Sequence, residues 1–95
     1  MIAHVVLLQP KTETTPQEIE QVLEQVRTLQ HSIPGIVDVQ AGANISKNHQ
    51  GYTHGFIMRF VDEAHLQAYA PHPAHLPVSE AIRRICSQVI DFDLR

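Results

Sequence analysis

Tryptophan is absent from this 95-residue chain, cysteine occurs once, and aromatic residues make up 5%. A single thiol, Cys86, cannot close an internal disulfide or build a zinc cage without several histidines, so a disulfide scaffold and a cysteine-rich metal knuckle are excluded. Cys86 reads as a small buried hydrophobe. Basic residues are also few: seven Lys/Arg stand against ten Asp/Glu, giving a net charge of −3. No basic run exceeds the pair Arg83-Arg84, so the electrostatic footprint of a nucleic-acid binder is missing. No apolar stretch approaches the roughly 20 residues of a membrane span. Met1-Ile2-Ala3-His4 runs directly into apolar sequence with no basic leader, which predicts a cytoplasmic protein.

What remains is 43% hydrophobic and 18% charged, a composition suited to one globular domain over residues 1–95. Ile2 to Gln9 reads as a strand, apolar on both faces: Ile2, His4, Val6 and Leu8 on one, Ala3, Val5 and Leu7 on the other. Thr15-Pro16-Gln17-Glu18 is a helix start, with Thr15 as N-cap, Pro16 in the first turn and Glu18 closing a capping box. Ile19, Val22, Leu23, Val26 and Leu29 then recur at helical spacing, and Ile33-Pro34-Gly35 breaks the helix after about His31.

Ile36 to Asn44 alternates as a strand, with Val37, Val39, Ala41 and Ala43 expected on one face. After a polar loop, Tyr52 to Val61 forms the second strand of a hairpin, with Tyr52, His54, Phe56, Met58 and Phe60 on one face. Asp62 caps a short helix to about Tyr69. Three prolines between Pro71 and Pro77 interrupt helical structure, which resumes from about Val78 to Cys86. Gln88 to Leu94 is a last strand, alternating Val89 and Asp91 against Ile90, Phe92 and Leu94. This order predicts an α+β, ferredoxin-like βαββαβ domain, a four-stranded antiparallel sheet with helices on one face. The uncovered face is oily, and an identical copy packed against it would bury it, so a homodimer is expected.

Seven histidines are present. His72 and His75 form an i, i+3 pair with no acidic or thiol ligand at metal-site spacing, and His31, His49 and His65 fall on predicted polar surface. Tyr69 and His75 flank the proline-stiffened turn. A neutral imidazole can take a proton near pH 7, and a phenol can hydrogen-bond a developing enolate. The same residues also serve as a core aromatic and a backbone-bound histidine.

Gly51-Tyr52-Thr53-His54, His72-Pro73-Ala74-His75, the opening His4-Val5-Val6-Leu7 and the closing Asp91-Phe92-Asp93 resemble the stress-responsive dimeric α/β-barrel family over nearly the whole chain. The resemblance implies two ferredoxin-like subunits joined through their sheets. That family includes stress-associated proteins and a plant polyketide cyclase that needs no cofactor. By resemblance to the cyclase, Tyr69 and His75 match its acid–base pair, and His4 and His54 match two further pocket histidines. Val6, Leu8, Val22, Leu23, Val26 and Phe56 match the walls. Bulkier aromatics stand in the cyclase where this chain has Val22, Leu23 and Val26, so the substrate does not carry over. A structural Mg2+ held by the backbone carbonyls of Gln30, Ile33 and Ile36 is the one ion implied. Two readings follow: a module holding a small hydrophobic ligand, or a cofactor-independent cyclase or lyase with His75 as base and Tyr69 as donor.

Overall fold

The computed structural model describes residues 1–95. Strand β1 (Ile2–Pro10) leads into α1 (Pro16–Thr28) and a 3-10 turn (Leu29–His31). Strands β2 (Ile36–Ala43) and β3 (His54–Phe60) form the hairpin. Helices α2 (Glu63–Tyr69) and α3 (His75–Ile85) then return the chain to β4 (Cys86–Leu94). The sheet is antiparallel throughout, in the order β2-β3-β1-β4. The ferredoxin-like arrangement is the expected one, with the final crossover divided between two helices.

The Thr15 capping box forms as predicted: Glu18 N–H donates to Thr15 Oγ1 at 3.2 Å, and Thr15 N–H donates to Glu18 Oε1 at 3.0 Å. Helix α3 starts three residues earlier than expected, at His75, and includes Pro77. Proline is tolerated there because first-turn N–H groups have no partner within the helix. At the other end the helix yields to strand at Cys86, where β4 begins two residues early opposite Pro10, and Lys11 N–H donates to the Ile85 carbonyl at 2.8 Å.

The even-numbered residues of β1 and β3 face the helices. Ile2, Val6, Leu8, Phe56, Met58 and Phe60 join Val22, Leu23 and Val26 of α1 and Val78, Ala81, Ile82 and Ile85 of α3 in one core. On β2 a bulge between Ile36 and Asp38 shifts the register. Val39 and Ala41 keep their place against the core, but Val37 is turned out and exposed, contrary to simple alternation. Gly35 precedes this bulge at φ +89°, and a Cβ there would lie 2.4 Å from the His65 ring. His65, expected on open polar surface, covers that turn and is tied to Asp62.

The opposite face carries no helix. The register brings Val5 and Leu7 beside Ile57 of β3 and beside Ile90, Phe92 and Leu94 of β4. Ile90 and Phe92 are each 43% exposed, whereas Val6, Leu8, Phe56 and Met58 on the helix-facing side of β1 and β3 are buried. No helix of the chain is long and apolar enough to cross a membrane.

Candidate functional site

Helices α2 and α3 do not close fully over β1 and β4. A cavity of about 530 Å³ opens among Ile2 and His4 of β1, Leu66 and Tyr69 of α2, His75 of α3, and Asp91 and Asp93 of β4. A second hollow of about 270 Å³ shares His4, Tyr69, His75 and Asp91 and reaches Val6, Phe56 and Arg83. The larger one is in the range of small-molecule sites.

Three rings meet at the junction of these spaces. Tyr69 ends α2 and is 5% exposed. Its ring centroid lies 4.4 Å from His75, 5.3 Å from Phe60 and 5.6 Å from His4. His75 opens α3, and its Nδ1 donates to the Ala70 carbonyl at 3.0 Å, satisfying a group that the end of α2 leaves unpaired. His72 instead accepts the Ala74 N–H through its Nδ1, at 3.0 Å. It braces the turn and does not cap a carbonyl. His4 Nδ1 sits 2.6 Å from Asp93 Oδ1.

No buried side-chain nitrogen or oxygen lacks a hydrogen-bond partner. Tyr69 Oη and the Nε2 atoms of His4 and His75 have no partner within the chain, so each must reach open space. Burial pushes the Tyr69 phenol well above its ordinary value and keeps it a protonated donor. Burial also holds His75 below the usual imidazole value, with lesser downward pushes from His4 and Arg83 opposed by the Ala70 carbonyl. At neutral pH the site therefore offers one O–H donor beside a neutral imidazole lone pair.

Of the residues expected in this pocket, Tyr69, His75, His4, Val6 and Phe56 come together. His54 does not. The antiparallel register pairs it with Leu8, four residues along β1 from His4, which is roughly 13 Å along the strand. There its Nδ1 meets Thr53 Oγ1 at 2.9 Å and burial lowers its pKa, with Glu20 of α1 acting in the other direction. Leu8, Val22, Leu23 and Val26 lie in the closed core beneath α1, none more than 3% exposed, outside the lining of this cavity.

Asp91, Asp93, Glu63 and Arg95 were not anticipated in the lining. Alternation along β4 set Asp91 apart from Ile90, Phe92 and Leu94, but which β4 residue meets His4 depends on a register invisible in one strand. Arg95 donates to Glu63 across the cavity mouth.

Gln30, Ile33 and Ile36 bracket the turn into β2. That turn contributes no carboxylate, and the Gln30 carboxamide is engaged with the Val37 carbonyl at 2.8 Å. Elsewhere no three His, Cys, Asp or Glu side chains converge as a metal cage.

The family profile described as "Stress responsive A/B Barrel Domain" matches residues 2–95. A curated relative named olivetolic acid cyclase, from Cannabis sativa, is 28% identical over 97% of this chain and 93% of its own. A crystal structure from Arabidopsis thaliana superposes with a TM-score of 0.93 at 27% identity, covering 100% of this chain and 94% of that one. A structure from Jannaschia sp. CCS1, described as a dimeric ferredoxin-like protein of unknown function, has a TM-score of 0.86 at 27% identity, covering 99% and 97%.

Proposed function

Because this chain belongs to the stress responsive A/B barrel domain family, we propose that it is a homodimeric small-molecule-binding domain whose α2–α3 cavity takes a hydrophobic, oxygenated compound. The observation that carries this reading is that Tyr69, His4 and His75 together line a space of about 530 Å³, with Tyr69 Oη and both Nε2 atoms unpaired within the chain. Apolar walls from Ile2 and Leu66 supply the affinity, and the three polar atoms orient the ligand. The exposed row of Ile90, Phe92 and Leu94, continuous with Val5 and Leu7, supports burial against a second copy. The dimeric description of the Jannaschia structure agrees.

A second reading is acid–base catalysis without a cofactor, of the cyclase or lyase type. It is favoured by the 4.4 Å contact between a protonated phenol and a neutral imidazole, and by the relative named olivetolic acid cyclase. His75 Nε2 would remove a proton from carbon next to a carbonyl. Tyr69 would donate to the enolate oxygen that forms. A structural Mg2+ on the carbonyls of Gln30, Ile33 and Ile36 is compatible with both readings, and MgCl2 titration would read it out in the amide shifts of that turn.

The test is titration of resorcinol and acetylacetone, a neutral phenol and a β-diketone, followed by amide NMR. Shifts centred on Tyr69, Ala70 and His75, weakened in Tyr69→Phe and His75→Ala, are the expected result. Shifts absent throughout, or identical in both variants, would overturn the pocket reading. Turnover of acetylacetone-type carbon acids, measured as deuterium exchange at carbon and lost in His75→Ala, separates the catalytic reading from simple binding.

A further inference from the structure

We infer that Asp93 is a positioning residue: it fixes the His4 ring so that a bare Nε2 lone pair faces the cavity, making the site select ligands that bring an O–H donor there. The inference rests on the cavity reading above. A carboxylate can only accept hydrogen bonds, so at 2.6 Å from Asp93 Oδ1 the His4 Nδ1 must carry the hydrogen. In the neutral ring this leaves Nε2 without one. The His4 side chain is 12% exposed, and its ring meets Phe56, Phe60 and Tyr69 edge-on at 6.3, 6.4 and 5.6 Å. Those contacts fix the ring plane and are nearly indifferent to a half-turn about it; the Asp93 carboxylate is what distinguishes the two orientations. Asp93 is held opposite His4 by the β1–β4 register and is itself half exposed, so its removal spares the core.

His75 repeats the design with a different tether, its Nδ1 bound to the Ala70 carbonyl. With both rings neutral, the cavity holds two imidazole acceptors and one phenol donor. Neutral His4 cannot donate to a substrate carbonyl through Nε2; it accepts from an enol or phenol hydroxyl. Asp91 and Asp93 on the same wall add negative charge, which disfavours an anionic group at that end.

The tautomer can be read directly. Ring 15N shifts of His4 at a pH where the imidazole is neutral should report the Nδ1–H form in the wild type. In Asp93→Ala they should move toward the Nε2–H form that free histidine prefers, and in Asp93→Asn, whose amide oxygen can accept the same hydrogen bond, they should stay near wild type. Asp91→Ala should leave His4 unchanged. In the wild type, resorcinol should bind about tenfold more tightly than its dimethyl ether, and the ratio should fall to near one in Asp93→Ala. An Nε2–H tautomer in the wild type, an unchanged tautomer in Asp93→Ala, or an unchanged binding ratio would overturn the inference. If neither probe binds yet the tautomer switches as stated, the cavity reading fails while the positioning by Asp93 stands.

Discussion

The Tyr69 and His75 rings lie 4.4 Å apart across a turn of only five residues, with the histidine tethered by the Ala70 carbonyl and the phenol hydroxyl untethered. A hydroxyl with no internal partner contributes little to folding. Tyr69→Phe should therefore leave the denaturant midpoint nearly unchanged, within about 0.5 kcal/mol, while weakening resorcinol binding. A large stability loss would mean that the hydroxyl is bonded within the fold.

Acid should weaken the fold through His54 and His75. Burial holds both below the ordinary imidazole value of 6.5. Between the folded and unfolded values the unfolded chain binds more protons, so stability rises with pH across that window. The stabilising difference is fully present above pH 6.5, and it is lost as pH falls through the unfolded value toward the folded ones, levelling off below them. Urea melts between about pH 5 and pH 8 should show this slope, and His54→Gln with His75→Gln should flatten it.

Met58 lies in the centre of β3 with no exposure, whereas Ile45 is 94% exposed in the loop after β2. Truncating the first leaves a cavity in close-packed surroundings. Met58→Ala should cost roughly 2–5 kcal/mol in chemical denaturation, and Ile45→Ala no more than about 0.5 kcal/mol.

How much of this was legible beforehand depends on the range of the interaction. The Thr15-to-Glu18 capping box is local, and it forms as read. The alternation of β4 is local too, and it set Val89 and Asp91 apart from Ile90, Phe92 and Leu94. The positions of His54 and Asp93 depend on how strands slide past one another, which no single segment encodes. Val37 escaped for a related reason: a one-residue bulge reverses a face while leaving the apolar pattern intact. The Tyr69–His75 pair was reached through the resemblance carried by His72-Pro73-Ala74-His75, and both members sit in one short segment.

Gly35 tests the turn before that bulge. At φ +89°, with a Cβ falling 2.4 Å from the His65 ring, alanine is both strained and obstructed. Gly35→Ala should destabilise the fold by more than about 1 kcal/mol. Adding His65→Ala should recover only part of the loss, since it removes the clash and leaves the backbone strain. Full recovery would show that the clash alone matters.

The oily sheet face gives the last prediction. Phe92→Asp places a charge in the middle of the surface assigned to the second copy. Light scattering coupled to gel filtration should give a mass of two chains for the wild type and one for the variant, with the far-UV spectrum retained. A wild type that runs as one chain would refute the dimer.

The short link between α2 and α3 has an evolutionary corollary. Since the phenol and the imidazole are supplied by neighbouring stretches of a single crossover, replacements on β1 and β4 can recontour the chamber without dislodging them. The walls can then change alone, with the Tyr69–His75 pair kept as a fixed cassette.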